Sequence, residues 1–223
     1  MPKVSFVIPV YNGDSYLAET LESICNQSLK DIEIIVVNDC SPDYTDDLME
    51  WYQKHEPRLK YHKFEENQGV CAARNKGNEL AEADIILVSD QDDISQKHRA
   101  LFSYNYLTRH PEVDCLTSAY YNCNVDGQII EKITPVDMTK EAFDAGTFQW
   151  FHSSCAYRKK DIVEMPYRIV DGETDDYVFL KDWTAKGKKF KTLKKVMGSC
   201  RRVPWGVMQQ RRQRMGAQPS YVL

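Results

Sequence analysis

The chain has 223 residues, a formal net charge of −4, 42% hydrophobic and 28% charged residues, which fits one larger domain, or one domain with an appendage, able to bury a core. This balance gives no electrostatic footprint for a nucleic-acid partner. No apolar run reaches the about 18 residues of a membrane span, and "MPKVSFVIPVYNG" is too short and too Pro-interrupted for a signal peptide, so a cytoplasmic chain is expected.

"KVSFVIPVYN" reads as a strand stopping at a turn, and "LAETLESICNQSL" places Leu17, Leu21, Ile24 and Cys25 on one helical face. "DIEIIVVND" is a second apolar strand. "TDDLMEWYQKH" is helical, with Thr45 as its expected N-cap and Asp46 and Asp47 in the first turn, where acids suit the helix dipole. "LKYHKFEEN" is a more polar strand, expected near an edge. "GVCAARNKGNELAE" is helical, and "DIILVSD" is a fourth strand. Apolar strands alternating with amphipathic helices predict a mostly parallel sheet covered on both faces, an α/β fold.

The rhythm then changes, with a boundary expected between about residues 94 and 112. A helix is predicted over "QKHRALFSYNYLTRH", and two strands around an Asp126-Gly127 turn in "VDCLTSAYYNCNVDGQIIEKI". Residues 134–150 read as a loop or short helix, and "FQWFHSSCAYRKKDI" as a strand and turn. "TDDYVFLKDWTAKGKKFKTL" reads as a helix closed near Gly187, then a strand. The seven scattered cysteines, an odd number without a Cys-x-x-Cys pair, fit reduced thiols rather than a disulfide or zinc framework.

The stretch "ILVSDQDD" drives a buried strand into Asp90, Asp92 and Asp93. Carboxylates this close repel one another unless a cation, a base or water relieves them. A solvated acidic turn would account for them. So would a site, because ligands of open α/β sheets bind beyond the carboxyl ends of the strands. Here those ends carry Pro9, Tyr11 and Asn12, then Asn38 and Asp39, then Asp90 and Gln91 beside the other two acids. Hard cations such as Mg²⁺ and Mn²⁺ take one or two carboxylates plus phosphate oxygens, which suits a D-x-D-D cluster. Neither a G-x-G-x-x-G fingerprint nor a G-x-x-x-x-G-K-[ST] loop is present.

Together "VSFVIPVYNGDSYLAETLESICNQSLKDIEIIVVNDCSPD", "NQGVCAARNKG" and "ILVSDQDD" resemble the family-2 glycosyltransferases, with their GT-A nucleotide-sugar-binding fold. The resemblance is strong over residues 3 to about 100 and looser to about 195. It implies a Rossmann-like, mostly parallel sheet with a smaller mixed acceptor-side region. Residues 1–100 would form the nucleotide-sugar-binding half, 101–200 the acceptor-binding and catalytic half, and 201–223 a basic tail. It also implies a metal-dependent, inverting hexosyl transfer from a nucleoside-diphosphate sugar, UDP-linked, to a saccharide or lipid-linked acceptor in surface-polysaccharide synthesis.

Residue by residue, the resemblance implies that Pro9 and Tyr11 line the base pocket, with Asn12 and Gln91 completing the donor site. Asp39 would accept from the base, Arg74 would approach base or phosphates, Asp90 would contact ribose, and Asp92 would hold the divalent cation, Mn²⁺ or Mg²⁺, with Asp93 a second metal ligand, a support of the shell or the cap of the next helix. The family usually shows two acids and a glycine where this chain has Asn38, Asp39 and Cys40. In the family the base is an acid opening a helix of the second half. Asp176 matches it, with Asp175 beside it and Glu173 as the fallback. Ordinary helix-start acids read the same way.

In the tail, Arg201, Arg202, Arg211, Arg212 and Arg214 would close over the diphosphate, meet an anionic acceptor at a membrane face, or simply be solvated. Trp205 would anchor at an interface or pack. Trp150, Phe151 and His152 read as an acceptor platform or as a core strand, with His152 also a candidate for the metal shell. Two other classes stay open: a non-catalytic module binding sugar nucleotides or a partner, and a nucleotidyltransferase, although "PVYNGDSYL" lacks the latter's Gly- and Lys-rich phosphate loop.

Overall fold

A computed structural model describes residues 1–202. Its first four strands are β1 (Val4–Val10), β2 (Ile32–Asn38), β3 (Leu59–Lys63) and β4 (Ile85–Val88), of which β1, β2 and β4 follow Val- and Ile-rich runs. They lie parallel in the order β3-β2-β1-β4. Every residue of β1, β2 and β4 is buried, as expected for strands covered on both faces. The more polar β3 takes the edge.

The crossovers are α1 (Leu17–Cys25), α2 (Thr45–His55) and α3 (Val70–Leu80). Alternation along the strands splits the core in two. Phe6, Ile8, Ile34, Val36 and Leu87 join a cluster with Leu17, Leu21, Ile24 and Met49. Val7, Ile35, Val37, Ile86 and Val88 join the opposite one with Ala73. On that face α3 lies so close to β1 that a Cβ at Gly77 would stand 2.3 Å from Val7 Cγ1.

The second half extends the same sheet. Its elements are β5 (Ile94–Ser95), α4 (Arg99–Arg109), β6 (Cys115–Cys123), β7 (Ile129–Ile133), α5 (Lys140–Asp144), β8 (Ala156–Arg158), α6 (Lys159–Glu164), α7 (Asp175–Ala185) and β9 (Phe190–Arg201). Beyond β4 the order continues β8-β6-β9-β5, with β7 on β6. β8 runs antiparallel to β4 and β6, while β9 runs parallel to β6. The result is the expected α/β architecture, a parallel half continued by a mixed half. Among the described residues no helix is long and apolar enough to cross a membrane.

Two local readings change, and one element is added. Thr45 is the first helical residue rather than the cap, and Asp43 Oδ1 accepts from its N–H and its hydroxyl. The strand expected at Trp150–His152 is a 3-10 turn over His152–Ser154, because the Ser154 hydroxyl donates back to the Phe151 carbonyl at 2.7 Å. The two-residue β5, a stretch to which the sequence reading gave no element, pairs with Ser199 and Gly198 of β9.

Candidate active site

The carboxyl ends of β1 and β2 are laced together by side chains. Pro9 is buried in register with Val37. Odd-numbered residues of β1 bond toward β4, where Val7 O accepts from Ser89 N, and even-numbered ones toward β2, where Val10 O accepts from Asp39 N. The N–H that Pro9 lacks would therefore face β4 beyond the last pair, Val7–Val88, so the proline breaks no ladder.

Tyr11 then emerges 46% exposed, an aromatic face open to a ligand. Asn12 follows in the left-handed region at φ 54°, a conformation asparagine tolerates better than most residues. Gln91 pins this turn: its Oε1 accepts from Tyr11 N at 2.8 Å, and its Nε2 donates to Tyr11 O at 2.9 Å. The Gln91 amide thus positions the turn instead of standing free for the donor.

At the end of β2, the buried Asn38 Oδ1 accepts from Ser41 N and from Ser41 Oγ, at 2.9 and 2.6 Å, while its Nδ2 donates to Tyr61 and Asp46. Asn38 holds the turn without a second charge beside Asp39. Cys40 has φ 59°, the left-handed region where glycine is at ease. The buried Asp39 carboxylate accepts from Gln68 N at 2.6 Å and Gly69 N at 2.8 Å, the backbone leading into α3. A base N–H would be an additional partner on these oxygens.

The three acids beyond β4 meet different surroundings. Asp90 N donates to the buried Ser153 Oγ at 2.8 Å, and its carboxylate accepts from Arg74. Asp93 is buried. Its carboxylate accepts from Arg201 N at 3.1 Å and from the Ser153 hydroxyl, and burial, then Asp92 and Asp90, push it well above the usual carboxylate range. Asp93 thus supports the turn from inside and ties it to β9, in line with the supporting role among those the sequence left open to it.

The Asp92 carboxylate takes no hydrogen bond from another described residue. Burial and the Asp90 charge push it up to about 6. A half-buried carboxylate in a like-charged neighbourhood, short of partners, fits a divalent cation. Asp92 would hold the ion, with phosphate oxygens completing the shell. Among the described residues no three His, Cys, Asp or Glu side chains form a ready-made metal shell.

Arg74 of α3 joins this edge to the second half. Its Nη2 donates to Asp90 Oδ1 and its Nε to Asp175 Oδ2, both at 2.9 Å. Burial pushes the Asp175 carboxyl up, but Arg74 outweighs this and holds it below the usual range. Asp176, half-buried in the first turn of α7, accepts only from Tyr177 N among the described residues. Glu173, the fallback base, pairs with Lys181 at 2.8 Å.

His152 is buried under this group. Its Nε2 meets Tyr167 Oη at 2.7 Å, and burial and then Arg74 lower it to about 4, so the ring is neutral at pH 7. That bond and the Arg74 charge direct His152 to the wall beneath the site rather than to a metal shell. Trp150 packs among Phe179 and Phe190, and Phe151 against Tyr120.

Arg201, read as a tail cation, is a buried wall residue. It donates to Glu19, Val125 O and Asp92 O, with its guanidinium 4.7 Å over the Tyr16 ring. Trp205, Arg211, Arg212 and Arg214 lie outside the described residues. The sequence reading missed Ser153 and Tyr167. Ser153 carries no motif, and its tie to Asp90 spans 63 positions.

With this geometry in place, solved structures show the same fold. TarS of S. aureus in complex with UDP-GlcNAc superposes with a TM-score of 0.74 at 22% identity, over 92% of this chain and 60% of that one. The mannosyltransferase PcManGT from Pyrobaculum calidifontis, in complex with GDP-Man and Mn²⁺, gives 0.70 at 20% identity, over 96% and 61%. Among sequences, the uncharacterized glycosyltransferase MJ1057 of Methanocaldococcus jannaschii is 29% identical over 195 residues, 85% of this chain and 67% of its own. The chain spans from 26% to 67% of the length of the first curated relatives it matches. The family model for glycosyl transferase family 2 matches residues 5–165. The chain belongs to glycosyl transferase family 2.

Proposed function

We propose that the chain transfers a sugar, with inversion, from a nucleoside-diphosphate sugar, UDP-linked, to a saccharide or lipid-linked acceptor in surface-polysaccharide synthesis. The observation that carries this reading is convergence at the sheet's carboxyl edge. Asp90 follows β4 and Asp175 opens α7, and one buried guanidinium holds both. This supports a reading in which a donor-side carboxylate and the acids of a helix start share one site. The curated relatives include the minor teichoic acid biosynthesis protein GgaB of Bacillus subtilis, 37% identical over 114 residues, 49% of this chain and 13% of its own, which supports the polysaccharide context.

In this reading Tyr11 stacks on the base and Asp90 accepts from ribose. Asp92 holds the cation, Mn²⁺ or Mg²⁺. When bound, the cation supplies positive charge to the leaving diphosphate. Asp176 takes the proton of the acceptor hydroxyl as its oxygen bonds to the anomeric carbon. The opposite bond, from that carbon to the diphosphate oxygen, breaks with its electron pair on the diphosphate. Base assistance of this kind contributes about 10²–10⁴-fold.

The test is calorimetric titration of UDP with Mn²⁺ and then with EDTA, for wild type and Asp92→Ala, followed by UDP-sugar hydrolysis with wild type and Asp176→Asn. The expected result is metal-dependent binding lost in Asp92→Ala, and hydrolysis lost in Asp176→Asn with binding kept. Silence of the wild type toward UDP, GDP and CDP would refute the donor site and favour a non-catalytic module.

A further inference from the structure

Arg74 carries more than a charge, because its fork is shared between two parts of the site. Its side chain is 7% exposed, against 32% for Asp90 and 17% for Asp175. A planar guanidinium has fixed donor directions, so it cannot turn toward one carboxylate without loosening its hold on the other. Tyr167 limits its movement, with its ring 5.6 Å from the guanidinium carbon and its hydroxyl bonded to His152 and Tyr157. Arg74 Nη1 is buried and has no partner among the described residues. Among the described residues the guanidinium's hydrogen bonds therefore go to two carboxylates, one from each half.

We propose that Arg74 is a positioning residue that couples the nucleotide end of the site to the start of α7, so that what binds at Asp90 sets where Asp175 and Asp176 stand. This rests on the donor-site reading above. Coupling between two places is reciprocal. Removing Asp175 must then weaken nucleotide binding at Asp90, although Asp175 does not need to touch the nucleotide.

The probe is UDP with Mn²⁺, measured by titration calorimetry, with a melting temperature for each variant. Asp175→Ala is expected to raise the UDP Kd by at least about fivefold, the lower end of ordinary coupling. Asp176→Ala removes the same charge from the same helix turn without touching Arg74, and so measures the purely electrostatic effect on a diphosphate. It is expected to leave the Kd unchanged or lower. Asp175→Asn keeps an acceptor for Arg74 Nε and should fall between the two, which separates lost positioning from a poorly folded Asp175→Ala.

In an Arg74→Lys background the fork is gone, and adding Asp175→Ala should change the Kd no further. Equal Kd shifts for Asp175→Ala and Asp176→Ala would overturn the coupling, as would a full Asp175→Ala effect in the Arg74→Lys background. A wild type silent toward UDP, GDP and CDP would instead remove the donor-site reading, and the coupling with it.

Discussion

Gly77→Ala sets two local rules against each other. In a helix interior alanine is favoured over glycine by up to about 1 kcal/mol. A Cβ at Gly77 would, however, lie 2.3 Å from Val7 Cγ1, with Val7 Cβ at 3.4 Å and Val37 Cγ2 at 3.5 Å. The first distance is about 1.2 Å inside the roughly 3.5 Å at which carbon atoms meet comfortably. Val7 cannot yield: it is 2% exposed, its branched side chain is stiff at χ1, and β1 is held between β2 and β4. Overpacking of this kind costs about 1–3 kcal/mol.

The clash should win, leaving Gly77→Ala about 1–2 kcal/mol less stable in urea unfolding followed to the linear extrapolation. Val7→Ala alone should cost about 2 kcal/mol. The double variant should be at least about 1 kcal/mol better than the sum, because the new methyl enters the space the valine vacates. Arg74 lies one turn before Gly77 on α3, so a displaced helix also carries the guanidinium away from Asp90, and UDP affinity should fall with stability. A Gly77→Ala protein as stable as wild type, or strict additivity with Val7→Ala, would refute the close helix–strand contact.

Cys40 holds φ 59°, so Cys40→Val should lose about 1–2 kcal/mol in thermal unfolding while Cys40→Gly loses none. Arg58 lowers Glu56 to about 2, so this carboxylate's contribution is complete above its ordinary 4.5 and disappears as pH falls toward 2. Glu56→Gln should flatten the acid limb of stability over that window, with a loss of about 1–2 kcal/mol at pH 7 after allowance for solvent screening. His152 is depressed to about 4 from 6.5. The unfolded chain takes up that proton first, so stability is complete above pH 6.5 and declines as pH falls to 4. His152→Gln should reduce that slope, and the ring's NMR shifts should stay those of a neutral imidazole at pH 5.

What was readable in the sequence followed physical visibility. The runs in β1, β2 and β4 announced themselves because burial on both faces demands unbroken apolar residues. The acids at their ends were readable because that edge is where such sheets bind ligands. The turn at His152–Ser154 was hidden, because "FQWFHSSC" has strand-like composition and only the Ser154 hydroxyl's bond to Phe151 O reveals the bend. The bonds from Thr45 to Asp43 at the start of α2 were hidden because Thr45 is itself a good capping residue by type. Arg201 looked like one cation in a basic tail. Its burial against Glu19, Val125 and Asp92 depends on β9 running beside β6 as far as Cys123, a long-range pairing with no local signature.

The arrangement of the acids after β4 explains how a buried strand can end in three carboxylates. Asp90 is answered by Arg74, and Asp93 by the Ser153 hydroxyl and the Arg201 backbone. Asp92 is left with neither, and both its burial and its neighbour's charge raise its affinity for a proton. A divalent ion accompanied by a diphosphate would bring compensating charge and further oxygen ligands together. Two of the three acids therefore hold the turn in shape, Asp90 through its ion pair with Arg74 and Asp93 through hydrogen bonds accepted inside the protein. The third lies half-buried at the edge where Tyr11 stands exposed at the end of β1, the edge at which such sheets bind ligands. This division also accounts for Gln91 and Ser153, which carry no charge. One fixes the β1 turn and the other fixes Asp90 and Asp93, so the unanswered carboxylate sits on a frame that its own repulsion cannot open.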